Sequence, residues 1–151
     1  MENNKLNPET INNLIEIHKD RILGYEKAID ELEEKDSDLI ECFNERIQES
    51  QQFKAALVRT IISLGGQPAE GSTVSGKIYR AWMDVKAAFT GHDRESILGN
   101  CEFGEDAAQK AYQTALETEG LSTELRNLLT DQQTQLQNAH QHIRILRAQI
   151  V

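Results

Sequence analysis

Apolar residues recur along this chain at alternating spacings of four and three, the pattern of helices that bury one stripe. Ile11, Ile15, His18, Ile22, Tyr25, Ile29 and Leu32 share one face, which predicts a helix from the Asn7-Pro8 cap to about Lys35 with His18 inside its seam. A second helix is predicted from Ser37 to the Gly65-Gly66 stop, presenting Leu39, Cys42, Phe43, Phe53, Ala56, Leu57, Ile61 and Leu64. Arg46 and Glu49 fall on that same side at mid-length, where buried polar groups must find partners. A third helix carries Leu98, Cys101, Glu105, Ala108, Tyr112 and Ala115 and ends at Gly120. The fourth opens at Ser122 and lines up Leu125, Leu129, Gln132, Leu136, Ala139, Ile143, Leu146 and Ile150.

Connection lengths then set the topology. Only short joints separate the first helix from the second and the third from the fourth, so each pair is expected to be an antiparallel hairpin. About 27 residues separate the second from the third. They begin as a Gly-, Pro- and Ser-containing loop over 66–73 and continue into an amphipathic stripe of Val74, Ile78, Trp82, Val85 and Phe89, closed by Gly91. A link of that length can return the chain along a bundle. The predicted architecture is all-α: one four-helix-bundle domain over residues 1–151, with a crossover segment at about 66–92 that contains an extra helix.

The two halves repeat each other. His18 is followed at seven residues by Tyr25 and then by Ala28, and Glu105 is followed at seven residues by Tyr112 and then by Ala115. Each half adds a polar pair at i, i+3 on its second helix, Glu49 with Gln52 and Gln137 with His140. His18 to Glu49 spans 31 residues and Glu105 to Gln137 spans 32, so the repeat keeps its register.

Composition narrows the classes. With two prolines and nine glycines in 151 residues there is little to interrupt long helices. A net charge of −9 argues against nucleic acid, whose phosphates are held mainly by Lys and Arg. Cys42 and Cys101 make no CxxC pair and read as reduced, buried thiols. The polar start and the lack of a long apolar run lead to the expectation of a cytoplasmic protein. No nucleophile set or phosphate-binding glycine loop is legible, which disfavours a hydrolase or kinase.

Three segments carry a resemblance: Asp20-Arg21-Ile22-Leu23-Gly24-Tyr25-Glu26-Lys27-Ala28, Gly76-Lys77-Ile78-Tyr79-Arg80-Ala81-Trp82-Met83-Asp84-Val85-Lys86-Ala87, and Cys101-Glu102-Phe103-Gly104-Glu105-Asp106. Through them the chain resembles a bacterial family of ferritin-like four-helix-bundle proteins of unknown function, over nearly its whole length. The resemblance implies the ferritin-like fold and assigns no activity.

In di-iron bundles of that class each hairpin supplies a Glu from its first helix and a Glu-x-x-His from its second. The matching positions here are His18, Glu49 and Gln52 in one half and Glu105, Gln137 and His140 in the other. Gln52 and Gln137 are degenerate as ligands, and His18 stands where a carboxylate is expected. Two carboxylates balance one divalent ion and not two.

Two readings follow. In one, a single divalent metal such as iron is held by His18, Glu49, Glu105 and His140. In the other, no cofactor is bound and Arg46, Glu49, Glu105, His18 and Gln132 satisfy one another, with Tyr25 and Tyr112 as core aromatics beside them. Glu16, Asp20 and Glu102 could enlarge a site, but their helical phases point away from the seam. The expected role is that of a non-enzymatic interaction or stress-associated bundle, with metal binding as the alternative and self-association left open. Lys77, Arg80 and Lys86 against Asp84 give residues 73–91 a charge of +2, leaving −11 elsewhere. This segment is expected to pack on the bundle through Ile78 and Trp82, with membrane or partner binding as the lesser alternative.

Overall fold

The computed structural model describes residues 3–32, 36–68 and 94–149, with side chains from residue 9 onward. These form the helices α1 (Asn3–Glu31), α2 (Ser37–Ser63), α3 (Arg94–Leu116) and α4 (Thr123–Ala148), and no strand occurs among the described residues. Helix α1 starts a turn earlier than the Asn7-Pro8 cap suggested. The expected crossover helix with Trp82 lies outside the described residues.

Local chemistry sets the helix ends. After Leu64 the chain turns at Gly65, with φ +81°, a conformation that side chains with a Cβ rarely adopt. There the Gly65 N–H donates to the Ile62 carbonyl at 3.0 Å and the Gly66 N–H to that of Ile61 at 2.9 Å, a Schellman closure. Helix α4 begins where the Ser122 hydroxyl accepts the Leu125 N–H at 3.1 Å.

Neighbouring helices run antiparallel. Tyr25 of α1 packs on Phe43 of α2, while further back His18 reaches Ser50. Between α3 and α4, Tyr112 meets Gln132 and Glu102 meets Arg147. Helices α1 and α3 join through His18 to Tyr112 and Arg21 to Glu105, and α2 and α4 through Phe53 to Gln132 and Cys42 to His142. It follows that α2 and α3 point the same way, a relation no hairpin can make. Their starts are tied together by Arg94, whose Nη1 and Nη2 donate to the Asp38 carboxylate at 2.9 and 2.6 Å.

The core divides in two. At one end Ile11, Leu14, Ile15, Phe53, Leu57, Ile61, Tyr112, Leu125 and Leu129 pack together. At the other the cluster is Tyr25, Leu39, Phe43, Ile47, Leu98, Cys101 and Ile143. Each fully buried Leu or Phe contributes roughly 1.5–3 kcal/mol by leaving water. Along α1, α2 and α3 the residues between these clusters are polar: His18, Arg21, Ser50 and Glu105 are buried at mid-bundle, with Gln132 beside them.

Candidate functional site: a polar layer across the bundle

Arg21 is the hub of the layer. It sits on α1 three residues after His18 and four before Tyr25, with no exposed surface. Its Nε donates to Glu105 Oε1 at 2.7 Å and its Nη2 to Glu105 Oε2 at 2.8 Å, so α3 presents a carboxylate that the guanidinium grips twice. The same Nη2 also donates to Glu49 Oε1 of α2 at 2.9 Å. One nitrogen thus lies between two carboxylates from different helices.

A directed chain of hydrogen bonds leaves the third arm of the guanidinium. The Gln132 amide nitrogen donates to the Phe53 carbonyl at 3.4 Å, which turns its Oε1 toward Tyr112 to accept the phenol hydrogen at 2.6 Å. With its hydrogen used, the Tyr112 oxygen accepts from His18 Nε2 at 2.6 Å. His18 Nδ1 therefore carries no hydrogen and accepts from Ser50 Oγ at 2.9 Å, while Ser50 Oγ accepts from Arg21 Nη1 at 2.8 Å. The chain is complete with His18 neutral, and every link has one donor and one acceptor.

Internal duplication is visible in the bonds. His18 and Glu105 hold equivalent places in the two halves, as do Tyr25 and Tyr112. His18 bonds Tyr112 at 2.6 Å, and Tyr25 Oη donates to Glu105 Oε2 at 2.9 Å, so each tyrosine serves the other half's polar residue. The halves match on their first helices and diverge on their second.

Electrostatics agree with this assignment. Burial alone would push Arg21 down, but the charge and hydrogen bonds of Glu105, with Glu49 and Tyr25 adding to them, hold it above its ordinary value. His18 is held well below its ordinary value by burial first, then by the charges of Arg21 and Lys54. Burial raises the Tyr25 and Tyr112 phenols, and Glu105 raises Tyr25 further. Cys42 and Cys101 are free, buried thiols pushed upward by burial, which keeps them protonated and unreactive.

Of the residues singled out from sequence, the structure brings His18, Glu49, Glu105, Gln132 and both tyrosines into the layer and leaves others outside. His140 is half-buried at the surface, its Nδ1 2.6 Å from Gln109 Oε1. Gln52 and Gln137 are exposed. The physical reason is helical phase: the buried stripe of α4 is Leu125, Leu129, Gln132, Leu136, Ala139 and Ile143, so Gln137 and His140 each lie one residue, about 100°, past it. Among the described residues no group of three or more His, Cys, Asp and Glu side chains converges in a way that could hold a metal ion.

Arg46 is also displaced from its expected part. It comes only to 3.9 Å from Glu49 and from Glu45, and its Nε has no hydrogen-bond partner. Arg21 fills the place expected for it, and Ser50 adds a link that the apolar pattern does not mark. The signal for Arg21 was present: 18, 21, 25 and 28 repeat the spacing of Glu105, Ala108, Tyr112 and Ala115, so Arg21 stands where the second half has alanine. Glu16 and Asp20 are buried although their phase points away from the seam, because α1 is covered on more than one face. Glu102 stays at the rim, where it accepts from Arg147 at 2.9 Å. His142 is exposed, 3.8 Å from the Cys42 sulfur.

Comparison with known proteins places the chain. A family model described as Domain of unknown function (DUF2383) matches residues 8–118. No curated protein matches the sequence. Among solved structures, a mutant of Mycobacterium smegmatis Dps1 is similar with a TM-score of 0.83 and 13% sequence identity, covering 97% of each chain. At that identity the likeness shows the fold, which is ferritin-like.

Proposed function

Because this chain belongs to the DUF2383 family and has a ferritin-like all-α fold, we propose that it is a non-enzymatic, metal-independent bundle whose role lies on its outer helix faces. One observation carries the reading: the carboxylates that would have to hold a cation, Glu49 and Glu105, are spent on Arg21. Charge balance supports it. Both carboxylates meet Arg21 at hydrogen-bond distance, and Arg46 stands 3.9 Å from Glu49 as a second positive charge, so they are offset without an added ion. The hydrogen-bond chain through Ser50, His18, Tyr112 and Gln132 ends on a backbone carbonyl and offers no free group to a substrate.

Apolar side chains exposed on several helices, Leu23, Ile62, Phe103 and Ile145, suit an interaction module, and self-association is the form proposed here. No described helix is long and apolar enough to cross a membrane. Thermal unfolding with and without Fe(II), Mn(II) and Zn(II) tests the reading. The midpoint is expected to stay unchanged. A rise with any of these ions that disappears in Glu49→Ala and in Glu105→Ala overturns it. Light scattering across a concentration series addresses self-association, and a monomer at every concentration removes it.

A further inference from the structure

We infer that the layer is a cation seat occupied by the chain's own Arg21, and that removing the guanidinium exposes a site for one divalent metal ion between Glu49 and Glu105. The inference rests on the metal-independent reading above and extends it to a site that the native chain keeps closed.

Geometry supplies the argument. Arg21 Nη2 is 2.9 Å from Glu49 Oε1 and 2.8 Å from Glu105 Oε2, so both oxygens already point at one atom position. An ion at that position needs oxygens at about 2.0–2.2 Å, an inward movement of about 0.6–0.9 Å by each carboxylate. That is within reach of a carboxylate's own torsions. Neither carboxylate is free to wander: Glu105 Oε2 also accepts from Tyr25 at 2.9 Å, an outer hydrogen bond of the kind that orients a metal ligand. Ser50 Oγ, 2.8 Å from Arg21 Nη1, is a further oxygen on the seat's edge.

Charge points the same way. Without Arg21 the layer holds two carboxylates with only Arg46, 3.9 Å from Glu49, to offset them, and the net negative charge that remains favours a cation. The donors of the seat are oxygens, which favours a hard divalent ion such as Mn(II) over a thiophilic one, with Co(II) as its spectroscopic probe. While Arg21 is present such an ion would share the seat with a buried positive charge, and the seat stays closed to it.

The test compares the full-length chain with Arg21→Ala, Arg21→Ala/Glu105→Gln and Arg21→Lys, each purified or refolded with and without Co(II). For Arg21→Ala the expected result is one equivalent of Co(II) bound, with visible d–d bands and a dissociation constant at least tenfold below that of the native chain. Its thermal midpoint should rise by several degrees, or folding should be regained if the apo variant does not fold. Both gains are expected to vanish in Arg21→Ala/Glu105→Gln and to be absent in Arg21→Lys, which keeps a cation in the seat. If Arg21→Ala, folded or not, gains nothing from Co(II), Mn(II) or Zn(II), the inference is overturned while the metal-independent reading stands. A Co(II)-dependent rise in the native chain would instead overturn that reading, and this inference with it.

Discussion

Arg21 and Glu105 meet across α1 and α3 through two hydrogen bonds, Nε to Oε1 at 2.7 Å and Nη2 to Oε2 at 2.8 Å, with both side chains essentially removed from solvent. Such a pair recovers its desolvation cost only while complete, because removing one partner strands a charge in the core. Arg21→Met is therefore expected to lower unfolding stability by roughly 3–5 kcal/mol, as read by urea denaturation. In a double-mutant cycle with Glu105→Gln the two losses should fall well short of adding. Additive losses would show that the two side chains act independently.

The neutral state of His18 predicts acid sensitivity. The unfolded chain binds a proton at His18 near pH 6.5, whereas the folded chain does so only at a lower pH. Between those values the unfolded state holds more protons, so this contribution is complete above pH 6.5 and shrinks as pH falls below it. The slope is at most about 1.4 kcal/mol per pH unit. His18→Gln should flatten the pH dependence of stability below pH 6.5, whatever its effect at neutral pH. An unchanged slope in that variant would assign the titration elsewhere.

Tyr112 links two side chains. Its hydroxyl donates to Gln132 and accepts from His18, both at 2.6 Å, so Tyr112→Phe leaves a buried donor and a buried acceptor without partners. A loss of roughly 1–3 kcal/mol is expected, with the helix content in circular dichroism unchanged. A loss below about 0.5 kcal/mol would indicate that the two groups find other partners.

Surface pairing should behave differently. Asp38 is bound by Arg94 at 2.6 Å, and that hydrogen bond holds its carboxyl down to about 2. Asp38 is mostly exposed, so the pair is screened and Asp38→Asn should change stability by less than about 1 kcal/mol. Its contribution is present above the ordinary carboxyl range near pH 4 and fades as pH falls toward 2. Added salt should weaken it further, whereas the Arg21 pair should resist salt.

Gly65 gives a backbone test. With φ +81° and open space around it, Gly65→Ala meets no steric neighbour and should cost about 1–2 kcal/mol from backbone strain alone. Gly65→Asn should cost less, because asparagine tolerates this conformation better.

Much of the architecture was legible in the chain because helical periodicity and end signals are local. The seams of α3 and α4, the Gly65 and Ser122 boundaries and the hairpin pairing all follow from residues within a few positions of one another. The duplicated first-helix pattern likewise put His18, Glu105, Tyr25 and Tyr112 at one depth. What sequence could not decide was which side of a broad buried face each polar residue takes. Arg21 and Ile22 are neighbours on α1, and the spacing marked Ile22 as the inward residue, whereas Arg21 is the fully buried one. The structure turns the arginine in, since only there does its charge meet Glu49 and Glu105 from two other helices. Gln137 and His140 looked like ligands by their i, i+3 spacing, yet the stripe that buries α4 leaves them at or near the surface. Charge compensation is a relation between helices far apart in sequence. A pattern read along one helix shows that a polar group is buried, and the packing of the others selects its partner.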